Sequence, residues 1–98
     1  AVDDWRADEA MTVAELYDPK SGRRLSVRST QPGVQVYTGN WLAGSLLSKS
    51  GRPYADYDGV AIECQGFPDA PNRPDFPSAE LRPGEAYRRT IRFRFDVR

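Results

Sequence analysis

The stretch YRRTIRFRFDVR, residues 87–98, gives the clearest indication of the fold class. Apolar and polar side chains alternate along it, and alternate side chains of a β-strand point to opposite faces of a sheet. The pattern predicts a strand from Tyr87 that buries one face and lays a basic stripe on the other. The predicted buried residues are Tyr87, Ile91, Phe93, Phe95 and Val97, and the stripe consists of Arg88, Thr90, Arg92, Arg94 and Arg98. We interpret this stripe as a solvated face or as ion pairs with a neighbouring strand, since the chain has no net charge.

In the rest of the chain, short alternating runs separated by Pro/Gly turns predict further strands and no long helix. Between residues 39 and 57 we expect an irregular excursion, with a short turn of helix around Leu46 and Leu47. Closely spaced strands of this kind favour an all-β antiparallel sheet or sandwich. The predicted strands are Val13–Asp18, Arg24–Thr30, Val34–Thr38 and Gly59–Gln65, and residues 19–22 form the first turn.

Composition limits the classes of function. The 98 residues suggest one domain, with 14 basic and 14 acidic side chains. We therefore expect no nucleic-acid partner and no membrane partner. The start, AVDDWRADEA, shows no signal peptide and no initiator Met. These features favour a cytoplasmic location and a chain that is processed or part of something longer.

The chain contains no histidine and a single cysteine, Cys64. The commonest metal ligand and general acid–base is therefore absent, and we expect no metal site. Cys64 lies in the run VAIEC, where we expect a buried small apolar residue. No phosphate-binding loop, dinucleotide motif or nucleophile–base pair can be assembled from the sequence.

Two predicted strands carry polar faces that suit a hydroxylated ligand. Glu63 shares a face with Gln65, and Gln35 shares one with Tyr37. A carboxylate beside a neutral amide at a concave edge is typical of such sites, although a solvated outer face is the simpler interpretation of Glu63. For Tyr37 and Trp41, taken singly, we expect ordinary core aromatics.

Four segments in order resemble the C-terminal part of the aldose 1-epimerase family, from about Ala14 to the end. They are AELYDPKSGRRL, TQPGVQVYTGNWL, GVAIECQGFPDAPNRPDFPS and LRPGEAYRRTIRFRF. The resemblance implies an antiparallel β-sandwich of galactose-mutarotase type, of which residues 1–98 would form a single C-terminal segment. Residues 1–13 match weakly and are expected to be an extension. The family's sandwich is roughly three times this length.

The resemblance also implies a reaction and the residues that perform it. Family members interconvert the α and β anomers of free aldoses such as galactose and glucose, without a metal or cofactor. Carried over by position, Glu63 is the catalytic base and Gln35 contacts the sugar hydroxyls. The proline-rich loop after Glu63 would form part of the cleft edge. Cys64 and Gly66 depart from the residues usual in the family.

The family's acid histidine has no counterpart in this chain. We therefore expect the isolated chain to be inactive, with strand edges and an apolar face left uncovered. Two alternatives are a non-catalytic carbohydrate-binding domain and a self-associating interaction domain. Its partners would be a monosaccharide and either a second copy or the missing N-terminal part of the sandwich.

Overall fold

The computed structural model describes residues 1–98 and contains strands only, apart from a 3₁₀ helix at Ala70–Asn72. Strands β1, β2 and β5 form one antiparallel sheet in the order β1-β2-β5, and β3 pairs with β4 in a second. The predicted all-β antiparallel fold is confirmed. The structure has no helix with the length and hydropathy needed to cross a membrane. The strands are β1 (Met11–Tyr17), β2 (Arg23–Ser29), β3 (Gly33–Tyr37), β4 (Ala61–Gln65) and β5 (Ile91–Val97).

The predicted helical turn around Leu46 and Leu47 is wrong. The segment between β3 and β4 is irregular, and Leu46 and Leu47 are both exposed. Gly44 and Gly51 flank them with φ angles of 85° and 74°, which lie in the left-handed region and interrupt a right-handed helix. Exposed leucines between two such glycines have no apolar surface against which a helix could pack.

The turn between β1 and β2 is confirmed and is held by the side chain of Asp18. Its carboxylate accepts hydrogen bonds from Ser21 Oγ at 2.6 Å and from the backbone N–H of Lys20 at 3.1 Å. Gly22 closes the turn with φ at 71°, and a Cβ atom there would stand 2.6 Å from the carbonyl oxygen of Arg98. Glycine is therefore required at this position by both conformation and space.

β1 begins at Met11, two residues earlier than predicted, because its pairing with β2 extends to Ser29. The ladder steps from Thr12 to Ala14 while β2 advances by one residue, which leaves Val13 as the extra residue of a β-bulge. Alternation along the sequence alone does not reveal such an insertion. The early start and the bulge are both consequences of strand pairing.

The polar face of the three-stranded sheet is crossed by ion pairs. Arg24 on β2 donates two hydrogen bonds to Asp96 on β5, at 2.8 and 2.7 Å. The same guanidinium lies 3.5 Å from Glu15 on β1, and Arg94 lies 3.5 Å from Asp96. The stripe itself contributes only Arg94, which pairs with Asp96 of its own strand, whereas Arg88, Arg92 and Arg98 are exposed, so the solvated-face interpretation fits most of the stripe.

The Arg24–Asp96 pair makes the stability of the sheet depend on pH. The hydrogen bonds from Arg24 hold the pKa of the Asp96 carboxyl below its ordinary value, which is about 3.9 in an unfolded chain. The stabilisation is therefore fully present above pH ~4 and is lost as pH falls through the lowered folded-state pKa. We expect Asp96→Asn to lower the urea midpoint at pH 7, with a difference from wild type that shrinks below pH ~4. An equal difference at pH 7 and pH 3 would contradict this.

The expected burial of the apolar face of β5 is wrong for this chain. The face is formed by β5 with Leu25 and Val27 of β2, and we call it the apolar face. On it, Phe93 is 51% exposed and Phe95 is 76% exposed. Val27 of the central strand lies opposite Phe93 on the same face and is fully buried. No second layer within the chain covers the edge strand, so the surrounding side chains remain in water. Members of the apolar face are Leu25, Val27, Ile91, Phe93, Phe95 and Val97.

Candidate active site

The pairing of β3 with β4 brings the two predicted site residues together. In the ladder, Gln35 is directly opposite Glu63, within an unbroken register that runs from Gly33–Gln65 to Tyr37–Ala61. Opposite residues of an antiparallel pair share a face, with Cα atoms about 4.5–5.5 Å apart. The carboxylate and the amide therefore stand side by side on one face of the sheet.

The polar groups of this pair are free to meet a ligand. Glu63 and Gln35 are both exposed, and neither side chain has a hydrogen-bond or ion-pair partner in the protein. Every other glutamate is engaged by a partner within the chain: Glu9 by Arg6, Glu15 by Arg24, Glu80 by Arg82, and Glu85 by the backbone N–H of Arg82. Glu63 is the one glutamate whose carboxylate is left unused by the fold.

The proline loop, residues 66–80, closes one end of this face through Phe67. Gly33 lies on the same face as Gln35, two residues away, and a Cβ atom on Gly33 would stand 2.9 Å from the ring of Phe67. The absence of a side chain at Gly33 thus allows the ring to lie against the strand. The ring of Phe76 packs edge-to-face against the ring of Phe67, with the two ring centres 5.0 Å apart.

The proline loop is stabilised by contacts of its own. Arg73 lies 4.5 Å from the centre of the Phe76 ring and donates two hydrogen bonds to Asp75, at 3.1 and 3.0 Å. These bonds lower the pKa of the Asp75 carboxyl. The 3₁₀ helix within the loop buries Ala70, and Asp69 precedes it with φ at 64°. These contacts within the proline loop therefore support the position of Phe67.

Beyond the other end of the Gln35–Glu63 pair lies a mainly apolar cavity of about 250 Å³. Tyr37 and Ala61, the next pair on that face, line it together with Leu42 and Tyr54 from the irregular segment. The phenolic oxygen of Tyr37 accepts a hydrogen bond from the backbone N–H of Trp41 at 2.9 Å, which fixes the ring. The polar pair therefore has aromatic side chains on both sides.

The expectation of core aromatics is wrong for this part of the chain. Tyr37 is exposed, and Trp41 is 86% exposed, because the irregular segment packs over little of the sheet. The expected burial of Cys64 is also wrong. It is a free cysteine, half-buried, on the opposite face from Glu63 and paired with Val34. That face has no covering layer within the chain.

The structure brings together no group of three or more His, Cys, Asp and Glu side chains that could hold a metal ion. The chemistry available at the site is that of an unpaired carboxylate, a neutral amide and flanking aromatic rings. A carboxylate of this kind can accept a proton, and an amide can both donate to and accept from hydroxyl groups. The arrangement suits a small polyhydroxylated ligand that transfers the proton of one hydroxyl group to the carboxylate.

Comparison with known proteins identifies the family of the chain. The sequence profile of the family described as aldose 1-epimerase matches residues 3–94. The chain belongs to the aldose 1-epimerase family. Its relatives include the galactose mutarotases of Rattus norvegicus, 51% identical over 89 residues, and of Homo sapiens, 50% identical over 84 residues. The aldose 1-epimerase of Escherichia coli is 36% identical over 92 residues.

These matches cover 91%, 86% and 92% of the chain, respectively. They cover only 26%, 25% and 26% of the respective relatives. The chain therefore spans about a quarter of the length of the aldose 1-epimerase relatives that it matches. The Gln35–Glu63 pair, the proline loop and the cavity all lie within the matched residues.

The sequence alone did not identify Phe67 as a candidate site residue. The available signal was Gly33, since a glycine within a strand often marks the close approach of another group. In the structure Gly33 pairs with Gln65, two residues before Phe67. That signal becomes specific only when the register of β3 against β4 is known. Phe67 is thus a candidate contact residue that the structure adds to the predicted pair.

Proposed function

We propose that this chain supplies the base-bearing part of an aldose 1-epimerase active site. Its substrates are free aldohexoses such as galactose and glucose, whose α and β anomers the complete site interconverts. Glu63 acts as the general base, and Gln35 hydrogen-bonds sugar hydroxyls. The observation that carries the proposal is the placement of an unpaired Glu63 carboxylate directly opposite Gln35 on an exposed strand face. The family membership supports the same assignment.

The reaction needs one proton removed and one delivered. The carboxylate of Glu63 takes the proton of the C1 hydroxyl, while an acid protonates the ring oxygen as its bond to C1 breaks. C1 of the open-chain aldehyde then turns, and the reverse transfers close the ring on its other face. General bases and acids of this kind contribute about 10²–10⁴ in rate each. Gln35 and the flanking Phe67 and Tyr37 hold the sugar while C1 turns.

The acid is not among these residues. The resemblance to the family assigns it to a histidine, and the chain contains none. The base and the amide are therefore expected to work only beside a segment that supplies the acid. The rest of the site would come from the part of the sandwich that lies outside the matched quarter of the relatives.

The proposal is tested by restoring that segment. In a chimera of rat galactose mutarotase, residues 1–98 replace the matching quarter of the enzyme. We expect polarimetry with α-glucose and α-galactose to show mutarotation well above the buffer rate for the chimera. The isolated 98-residue chain is expected to remain at the buffer rate, because it lacks the acid.

Other outcomes would change the proposal in definite ways. A folded chimera that stays at the buffer rate would contradict the assignment of the active site to these residues. Trp41 fluorescence reports sugar binding. If it shows binding while polarimetry shows no turnover, the non-catalytic carbohydrate-binding alternative is favoured. Mutarotation by the isolated chain that Glu63→Gln abolishes would show that these 98 residues suffice.

A second candidate function is self-association, and the apolar face is the observation that favours it. Phe93 and Phe95 remain more than half exposed on an edge strand, beside the exposed Ile91 and Val97. Contiguous apolar side chains of this kind mark interaction surfaces, and edge strands offer unpaired backbone groups. A second copy of the chain meets the requirement for an apolar, strand-bearing partner when no other part of the sandwich is present.

A further inference from the structure

A second cavity, of about 240 Å³, lies away from the Gln35–Glu63 pair. It opens where the N-terminal segment and the residues after β2 meet the two ends of the proline loop and the segment that precedes β5. Trp5 forms one wall, and its indole N–H donates to the carbonyl oxygen of Thr30 at 2.9 Å. No acidic side chain lines the cavity. Its polar side chains are Trp5, Gln31, Ser78, Tyr87 and Arg89.

Arg89 is the only charged residue of this cavity, and its charge is not neutralised within the chain. No carboxylate lies within ion-pair distance of it. One guanidinium nitrogen donates to the carbonyl oxygen of Arg88 at 2.9 Å, and the group lies 5.0 Å from the centre of the Tyr87 ring. The Nε–H is closed off from solvent and has no hydrogen-bond partner. Leaving a buried donor of a charged group unpaired is costly, at about 1–3 kcal/mol or more.

The neighbouring hydroxyl groups have their protons available. Gln31 donates its amide N–H to the phenolic oxygen of Tyr87 at 2.8 Å, so the Tyr87 O–H remains free to donate elsewhere. Ser78 Oγ accepts the backbone N–H of Glu80 at 3.1 Å, which leaves its proton free in the same way. The cavity thus combines one cation with several unused donors and no competing carboxylate.

We propose that this cavity binds a small oxyanion, of the phosphate or carboxylate type. Such a group supplies acceptors for the Arg89 guanidinium and for the hydroxyls of Tyr87 and Ser78, which together match the oxygens of an anion better than those of a neutral ligand. The site is independent of the sugar chemistry proposed above, because Gln35 and Glu63 do not line it.

The test is a titration of the 98-residue chain with inorganic phosphate or acetate, at ionic strength held constant with sodium chloride. Binding is followed by ¹H–¹⁵N NMR of the Arg89 Nε–H and the Trp5 indole N–H. We expect saturable shifts confined to the cavity residues, with Arg89→Gln weakening the affinity about tenfold or more. The matched control is Arg88→Gln, since Arg88 is exposed and does not line the cavity; its affinity is expected to stay within about twofold of wild type.

The affinities for phosphate and for acetate, compared with each other, identify the type of anion that the cavity binds. If Arg89→Gln fails to fold, Tyr87→Phe tests the site instead. This substitution removes one hydroxyl donor without removing charge, and we expect it to lower the affinity several-fold. Shifts that do not saturate with either anion would overturn the proposal. Equal shifts with chloride alone, or equal losses in Arg88→Gln and the cavity variants, would overturn it as well.

Discussion

In the chimera with rat galactose mutarotase, we expect Glu63→Gln to lower the mutarotation rate by a factor of about 10²–10⁴. The amide keeps the shape of the side chain and its place opposite Gln35, but it cannot accept the proton of the C1 hydroxyl. The loss belongs to the chemical step, so it is expected in kcat rather than in KM. Polarimetry with α-galactose, over a range of substrate concentrations, measures both parameters.

The Glu63→Gln substitution changes the site without breaking other contacts of the fold. Glu63 has no ion-pair or hydrogen-bond partner in the chain, so its replacement leaves no cation or buried donor unpaired. The urea midpoint is therefore expected to be unchanged. Glu80→Gln is the matched control, because Glu80 is an exposed glutamate of the proline loop whose carboxylate pairs with Arg82. Wild-type kcat in Glu63→Gln, or an equal loss in both variants, would remove Glu63 from the role of base.

The strands and their polar faces were predictable from the sequence because alternation is a local property. Gln35 and Glu63 were each assigned to a polar strand face, and in the structure both lie there and are exposed. What alternation cannot supply is the register between two strands separated by an irregular segment. The side-by-side placement of the carboxylate and the amide therefore came from the pairing of β3 with β4. The position of Phe67 over Gly33 depends on the same register.

The burial of apolar side chains was the property hardest to predict from the sequence. The alternation of β5 correctly separated an apolar side from a basic one, but it does not state what covers the apolar side. In this chain Phe95 and Cys64 are more accessible than expected, because no second sheet covers the edge strand β5 or the side of β4 that carries Cys64. The start of β5 at Ile91 instead of Tyr87 has a related cause. Its partner β2 ends at Ser29, so the residues before Ile91 have no strand with which to pair.

The apolar face leads to the second large expected effect, on self-association. If two copies meet through this face, a symmetric contact buries Phe95 twice, once from each copy. Burying a phenylalanine side chain contributes about 1.5–3 kcal/mol, and 76% of Phe95 is available for burial. We therefore expect Phe95→Lys to raise the dissociation constant of the wild-type oligomer by about 10²-fold or more. Size-exclusion chromatography with light scattering over a concentration series gives this constant.

The control separates the apolar face from apolar surface in general. Leu46→Lys replaces a leucine that is 91% exposed in the irregular segment and is not part of either sheet. It introduces the same charge and removes a similar apolar area, so its dissociation constant is expected to stay within about threefold of wild type, since exposed charges contribute little. A wild-type chain that remains monomeric at every concentration would exclude self-association. If both lysine substitutions raise the dissociation constant equally, the association is nonspecific. If only Phe95→Lys raises it, β5 is the contact strand.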